Sequence, residues 1–167
     1  FIELLTVLSP KGNYLLASNS QKMALWELAT GKLVRTFKGH DKTITALAFS
    51  PDERFVLSGS EDGNVKIWKV EIQQKTNTFK IHDSPNSLRA FAYSTDGQYL
   101  ISGGKGNRID LWDVTNQKKI YQFKGHTSWI NALAFSDDGL HFVSGSKDST
   151  AILWNINEST PVRIFRG

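Results

Sequence analysis

Four of the five tryptophans of this 167-residue chain, Trp26, Trp68, Trp112 and Trp154, fall at steps of 42, 44 and 42 residues. Three of its four histidines, His40, His82 and His126, keep the same step. A turn signal follows suit at Ser9-Pro10-Lys11-Gly12, Ser50-Pro51-Asp52-Glu53, Ser94-Thr95-Asp96-Gly97 and Ser136-Asp137-Asp138-Gly139, each preceded by an apolar residue, Leu8, Phe49, Tyr93 or Phe135. Three marks in one register mean that a single supersecondary unit is repeated. A unit this small cannot bury its apolar face alone, so successive units must stack.

Within a unit the hydrophobic period is 2 rather than 3.6. Between Thr43 and Trp68, Ile44, Ala46 and Ala48 alternate with their neighbours up to a Ser-Pro-Asp turn, Phe55, Val56 and Leu57 follow, and Val65, Ile67 and Trp68 come after Glu61, Asp62, Gly63 and Asn64. That is three strands. A fourth ends at Phe79, and Phe37, Phe123 and Phe165 close the other units in the same way. No stretch combines a helix start, a stop and an apolar stripe. The expected fold is therefore all-β, with four four-stranded antiparallel units over 1–38, 39–80, 81–124 and 125–167, together one segment over 1–167.

Composition narrows the function classes. No apolar run approaches the roughly 18 residues of a membrane-spanning helix. The absence of Cys removes thiolate chemistry and suits a reducing compartment, so the expected location is intracellular, cytoplasmic or nuclear. The net charge of +4 divides among the four units as +3, 0, +2 and −1, without a cluster of five Lys or Arg, which argues against nucleic acid. The alternative of a nucleic-acid or anionic-surface module requires Lys11, Lys32, Lys105, Lys118 and Lys119 of units one and three to converge. Gly103-Gly104-Lys105-Gly106 lacks P-loop spacing and reads as a hairpin turn. His141 has no second ligand at a metal-like spacing, and no metal or cofactor is expected.

A four-stranded repeat of 40 to 45 residues with a Gly-His near its start and a Trp near its third strand resembles the WD-repeat family of β-propellers. Gly39-His40 and Gly125-His126 each precede their Trp by 28 residues, Ser-Gly-Ser-x-Asp recurs at Ser58 to Asp62 and Ser144 to Asp148, and Trp112-Asp113 is the family's dipeptide. The Trp-Asp-x-Arg signature for docking to a cullin-type ligase adaptor is missing, since Val114 and Thr115 follow. The resemblance implies propeller blades that bind proteins or peptides without catalysis. Four blades fall short of the usual seven or eight. The expectation is a segment of a longer ring, with a half-ring that pairs with a second copy and a closed four-bladed ring as alternatives.

His40, Ser58 and Asp62, echoed by His126, Ser144 and Asp148, also make up a hydrolase triad. Catalysis needs an exposed Ser beside an oxyanion hole, and a site duplicated 86 residues later has no evident use. The resemblance implies instead a structural tetrad that also contains the third-strand Trp: His40, Ser58, Asp62 and Trp68 in unit two, and His126, Ser144, Asp148 and Trp154 in unit four. Unit three keeps His82, Ser102 and Trp112 but has Gly106 at the Asp position. Unit one keeps Trp26, with Ser18 assigned to the Ser position.

The family places its variable, partner-binding residues on the face around the central channel. They stand three and five positions after the Gly-His histidine and just before the tetrad Asp. Transferred here they are Thr43, Thr45 and Glu61; Trp129, Asn131 and Lys147; and, allowing for two extra residues, Ser87, Arg89 and Lys105, with Leu4 the weaker match in unit one. Trp129 is the one Trp outside the repeating series. The open outer faces of units one and four are expected to carry Met23, Leu25, Leu153 and Phe165.

Overall fold

The computed structural model describes residues 4–71, 77–80 and 88–167. The first sheet holds β1 (Leu4–Leu8), β2 (Tyr14–Asn19), β3 (Lys22–Glu27) and β4 (Leu33–Lys38), and the second β5 (Ile44–Phe49), β6 (Phe55–Ser60), β7 (Asn64–Lys69) and β8 (Asn77–Lys80). The third holds β9 (Leu88–Tyr93), β10 (Tyr99–Gly104), β11 (Arg108–Asp113) and β12 (Lys118–Lys124), and the fourth β13 (Ile130–Phe135), β14 (His141–Ser146), β15 (Thr150–Asn155) and β16 (Arg163–Arg166). Every sheet is an antiparallel meander in sequence order. The chain divides into two compact units, residues 1–86 and 87–167.

The turn between the first two strands is built the same way in each sheet. In three of them the Ser hydroxyl donates to the Asp two residues on, as Ser50 and Ser94 do at 2.5 Å, and the Ser9, Ser50 and Ser94 hydroxyls accept the N–H that opens the second strand. Ser136 pairs likewise with Asp138. Gly12, Gly97 and Gly139 take the left-handed backbone at the fourth turn position, with φ of 74, 72 and 67°. Glu53 takes it in the second sheet at 62°, a conformation that L residues other than Asn and Asp resist. Its carboxylate explains the exception, because it accepts Lys11 N–H at 2.6 Å and the Asn13 amide at 2.7 Å, tying the second sheet to the first.

In the unit of residues 1–86, Leu16, Met23, Leu25 and Phe37 of the first sheet pack on Ile44, Phe49, Val56 and Trp68 of the second. In the other unit Ile101, Ile109, Leu111 and Phe123 pack on Ile130, Phe142, Ile152 and Trp154. Met23 and Leu25 are thus buried, at 2 and 0% exposure, against the expectation that they line an open face. Side chains alternate along a strand, so the face away from the second sheet carries Ala24 and Trp26 instead. A cleft of about 250 Å3 lies there, lined by Ala17, Ala24, Trp26 and Thr36. In the fourth sheet Phe165 is 47% exposed and Val143 43%. Among the described residues no helix is long and apolar enough to cross a membrane.

Candidate functional site

Each tetrad begins in the loop before the first strand of its sheet. His40 reaches Asp62 through Nδ1 at 2.7 Å and Ser58 through Nε2 at 2.7 Å, while Trp68 Nε1–H donates to Ser58 Oγ at 2.8 Å. The fourth sheet repeats this: His126 Nδ1 lies 2.9 Å from Asp148, its Nε2 lies 2.7 Å from Ser144, and Trp154 Nε1–H donates to Ser144 at 2.8 Å. Burial works to raise the Asp62 carboxyl, but bonds from His40, Asn64 and Asp41 outweigh it and hold the group below its usual range. Asp148 is held low against its burial by the Thr150 hydroxyl, Thr127 N–H and His126. An ionised carboxylate only accepts, so each His donates from Nδ1. Nε2 then accepts the Ser hydroxyl proton, and the Ser oxygen accepts the indole N–H.

Donor order and distances match a Ser-His-Asp triad, so access decides what the arrangement can do. Ser58 and Ser144 are 0 and 1% exposed, and an indole N–H already occupies each Oγ. No substrate carbonyl reaches that oxygen. The bonds instead pin the loop before strand one, strand two, the following turn and strand three to one another.

The other two sheets depart from this. Trp112 Nε1–H donates to Ser102 at 2.9 Å, Gly106 offers no carboxylate, and His82 lies outside the described residues. In the first sheet Trp26 pairs across with Leu15, as Trp68 does with Val56, which puts Ala17 rather than Ser18 in register with Ser58. Ser18 pairs with Met23 and turns to the opposite face, where its buried hydroxyl has no partner among the described residues. The turn between β2 and β3 is one residue shorter than its counterparts rather than two, so allowing for a loss of two stops one position short of Ala17.

Within each sheet the described variable positions lie at the end that carries the loop before strand one and the turn between strands two and three. Register shifts fall between Ile44 and Ala46, between Leu88 and Ala90, and between Ile130 and Ala132, which places Thr45, Arg89 and Asn131 at the extra position of three equivalent bulges. A bulge re-aims the side chain it carries. Behind them one backbone bond repeats: Glu61 N–H donates to Thr43 O at 2.9 Å and Lys147 N–H to Trp129 O at 2.8 Å. In residues 87–167 Arg89, Lys105 and Lys147 all approach the half-buried Trp129. Thr43, Asn131 and Leu4 are exposed, Thr45 and Glu61 half-buried, and Ser87 lies outside the described residues.

In residues 87–167 the lysines of the anionic-surface alternative do not share an end. Lys105 follows β10, whereas Lys118 pairs with Asp113 at the other end of β11. Lys119 lies 3.8 Å from the buried Asp110. His141 is engaged by Asp138 at 2.7 Å across its own turn.

A family model described as "WD domain, G-beta repeat" matches residues 31–69, 73–113 and 117–155. The chain belongs to the WD-repeat family. Each matched stretch runs from the fourth strand of one sheet through the third strand of the next, so the sequence repeat and the sheet are offset by one strand. WD-repeat proteins are in general non-catalytic protein-interaction scaffolds.

Among curated relatives, the chain is 41% identical over 61 residues to Protein ROOT INITIATION DEFECTIVE 3 of Arabidopsis thaliana, covering 36% of this chain and 14% of that protein. It is 38% identical over 65 residues to the Denticleless protein homolog of Danio rerio, covering 38% and 10%. It is 29% identical over 82 residues to Pre-mRNA-processing factor 19 of Caenorhabditis elegans, covering 48% and 17%. The matched stretches therefore span less than a fifth of each of these relatives.

Proposed function

We propose that this chain is part of an intracellular, non-catalytic WD-repeat scaffold. It holds a protein or peptide partner at the sheet ends where Trp129 stands, on the face around the central channel of the ring. The supporting observation is Trp129 itself. The bond between its carbonyl and Lys147 N–H is duplicated at Thr43 and Glu61, so the fold at this point works with Thr and Glu and has no need of an indole and an ammonium. Exposed Trp and Arg are the side chains that most often dominate binding energy. Further blades of the same repeat, or a second copy of this chain, cover the open face of the first sheet with its Trp26 cleft and that of the fourth with the exposed Val143 and Phe165, and complete a seven- or eight-bladed ring.

The test is quantitative capture of the partner from cell extract by wild type, Trp129→Ala and Arg89→Ala. Each substitution is expected to weaken capture by more than about 1 kcal/mol. Capture that survives the double substitution but is lost on altering the opposite ends of the sheets overturns the placement.

A further inference from the structure

Trp129 is ringed by cations. The Arg89 guanidinium carbon lies 4.9 Å from the centre of the indole, Lys147 Nζ 4.7 Å and Lys105 Nζ 5.8 Å. They arrive from a bulge in β9, from the turn between β10 and β11, and from the turn between β14 and β15. All three are exposed, and among the described residues none has a carboxylate within ion-pair distance. The acid next in sequence, Asp148, is committed to His126, Thr127 and Thr150.

One cation on an aromatic face is self-consistent. Three like charges around one ring repel one another, and the equivalent positions Thr43, Thr45 and Glu61 show that the backbone does not impose them. The cluster is therefore built to receive negative charge. Neutralising it with carboxylates requires several acidic side chains converging on one ring, whereas a single phosphoryl group brings about two charges and three acceptor oxygens to one point. Nucleic acid fits less well. Arg89 and Lys147 stand over the indole on which a base would have to stack, and the cations form one knot rather than a track along a backbone.

We propose that Arg89, Lys105 and Lys147, gathered around Trp129, form a binding site for the phosphoryl group of a phosphorylated peptide segment. This rests on the proposed function and gives its partner a chemistry.

The 167-residue chain, labelled with 15N at its indoles, is titrated at low salt with a degenerate phosphoserine peptide pool. Matched titrations use the same pool with serine, the same pool with glutamate, and a short single-stranded RNA. The phosphorylated pool is expected to move the Trp129 indole signal and leave those of Trp68 and Trp154, which are engaged by Ser58 and Ser144, in place. Arg89→Gln, Lys105→Gln and Lys147→Gln should each weaken binding about threefold, as the loss of one exposed charge contact implies, with unchanged unfolding midpoints. No shift with the phosphorylated pool, or an equal shift with the serine pool, the glutamate pool or RNA, overturns the inference. If that happens while Trp129→Ala still abolishes partner capture, the phosphate site falls and the proposed function stands. If the phosphorylated pool shifts Trp129 but capture ignores Trp129→Ala, the phosphate site stands and the proposed function falls.

Discussion

Ser144 is held from two sides, accepting from Trp154 and donating to His126, while Ser102 has the Trp112 indole as its partner among the described residues. The two serines occupy one register position and differ in what their loss leaves behind. Ser144→Ala strands both an indole N–H and an imidazole nitrogen in the interior. A buried polar group without a partner costs about 1 to 3 kcal/mol, so Ser144→Ala should destabilise by that amount or more, and Ser102→Ala by less. Denaturant midpoints of the two variants check this, and equal losses would contradict it. His126→Ala belongs with Ser144→Ala, because it removes one partner each from Asp148 and Ser144.

At the scale of strands and turns, adjoining sheets approach closely at fixed points. A Cβ on Gly125 would stand 2.8 Å from the Trp154 ring. Gly125→Ala therefore forces either the loop or the indole to move, and should lower stability by about 1 to 3 kcal/mol through overpacking. Gly31→Ala is the contrasting control, since nothing lies within 4 Å of that site and its cost comes from a φ of 68° alone. Comparable melting shifts would mean that space at Gly125 is not what matters.

The strand plan was legible in the sequence because the period of 2 and the Ser-x-Asp turns are local signals. Four features were not. The assignment of Ser18 failed because a shortened turn moves the register without leaving a mark in composition. The placing of Met23 and Leu25 failed because a one-residue choice between faces cannot be made from alternation alone. The Glu53 tie to Lys11 and Asn13 is a contact between sheets, and its only trace in the sequence is a Glu where the other turns have Gly. The gathering of Arg89, Lys105 and Lys147 on Trp129 also joins two sheets, so the family's pattern could indicate the positions but not their convergence.

Over the whole molecule, carboxylates tie loops to sheets, and that predicts the response to acid. Asp62 and Asp148 are held low despite their burial, and Glu53 is too, through Ser9, Asn13 and Lys11. A group whose pKa is depressed on folding contributes stability above its unfolded value and loses it as the pH falls towards the folded one. The ordinary values are 3.8 for Asp and 4.5 for Glu. The contribution of these groups should therefore be steady from pH 7 to about 5 and fall away below about 4. Asp62→Asn with Asp148→Asn should lose stability at neutral pH and show a shallower fall in acid. An acid limb as steep as wild type in that double variant would assign the effect to other groups.

Two sets of residues lie a few positions apart: the tetrads tie loops to strands, and the bulge and turn side chains around Trp129 are the ones proposed to hold the partner. The most direct test of this separation measures unfolding midpoint and partner capture side by side for His126→Ala and Trp129→Ala. His126→Ala should lose about 1 to 3 kcal/mol of stability while the folded fraction still captures the partner, and Trp129→Ala should keep its midpoint and lose capture. A Trp129→Ala protein that unfolds as early as His126→Ala yet captures the partner normally would contradict the separation.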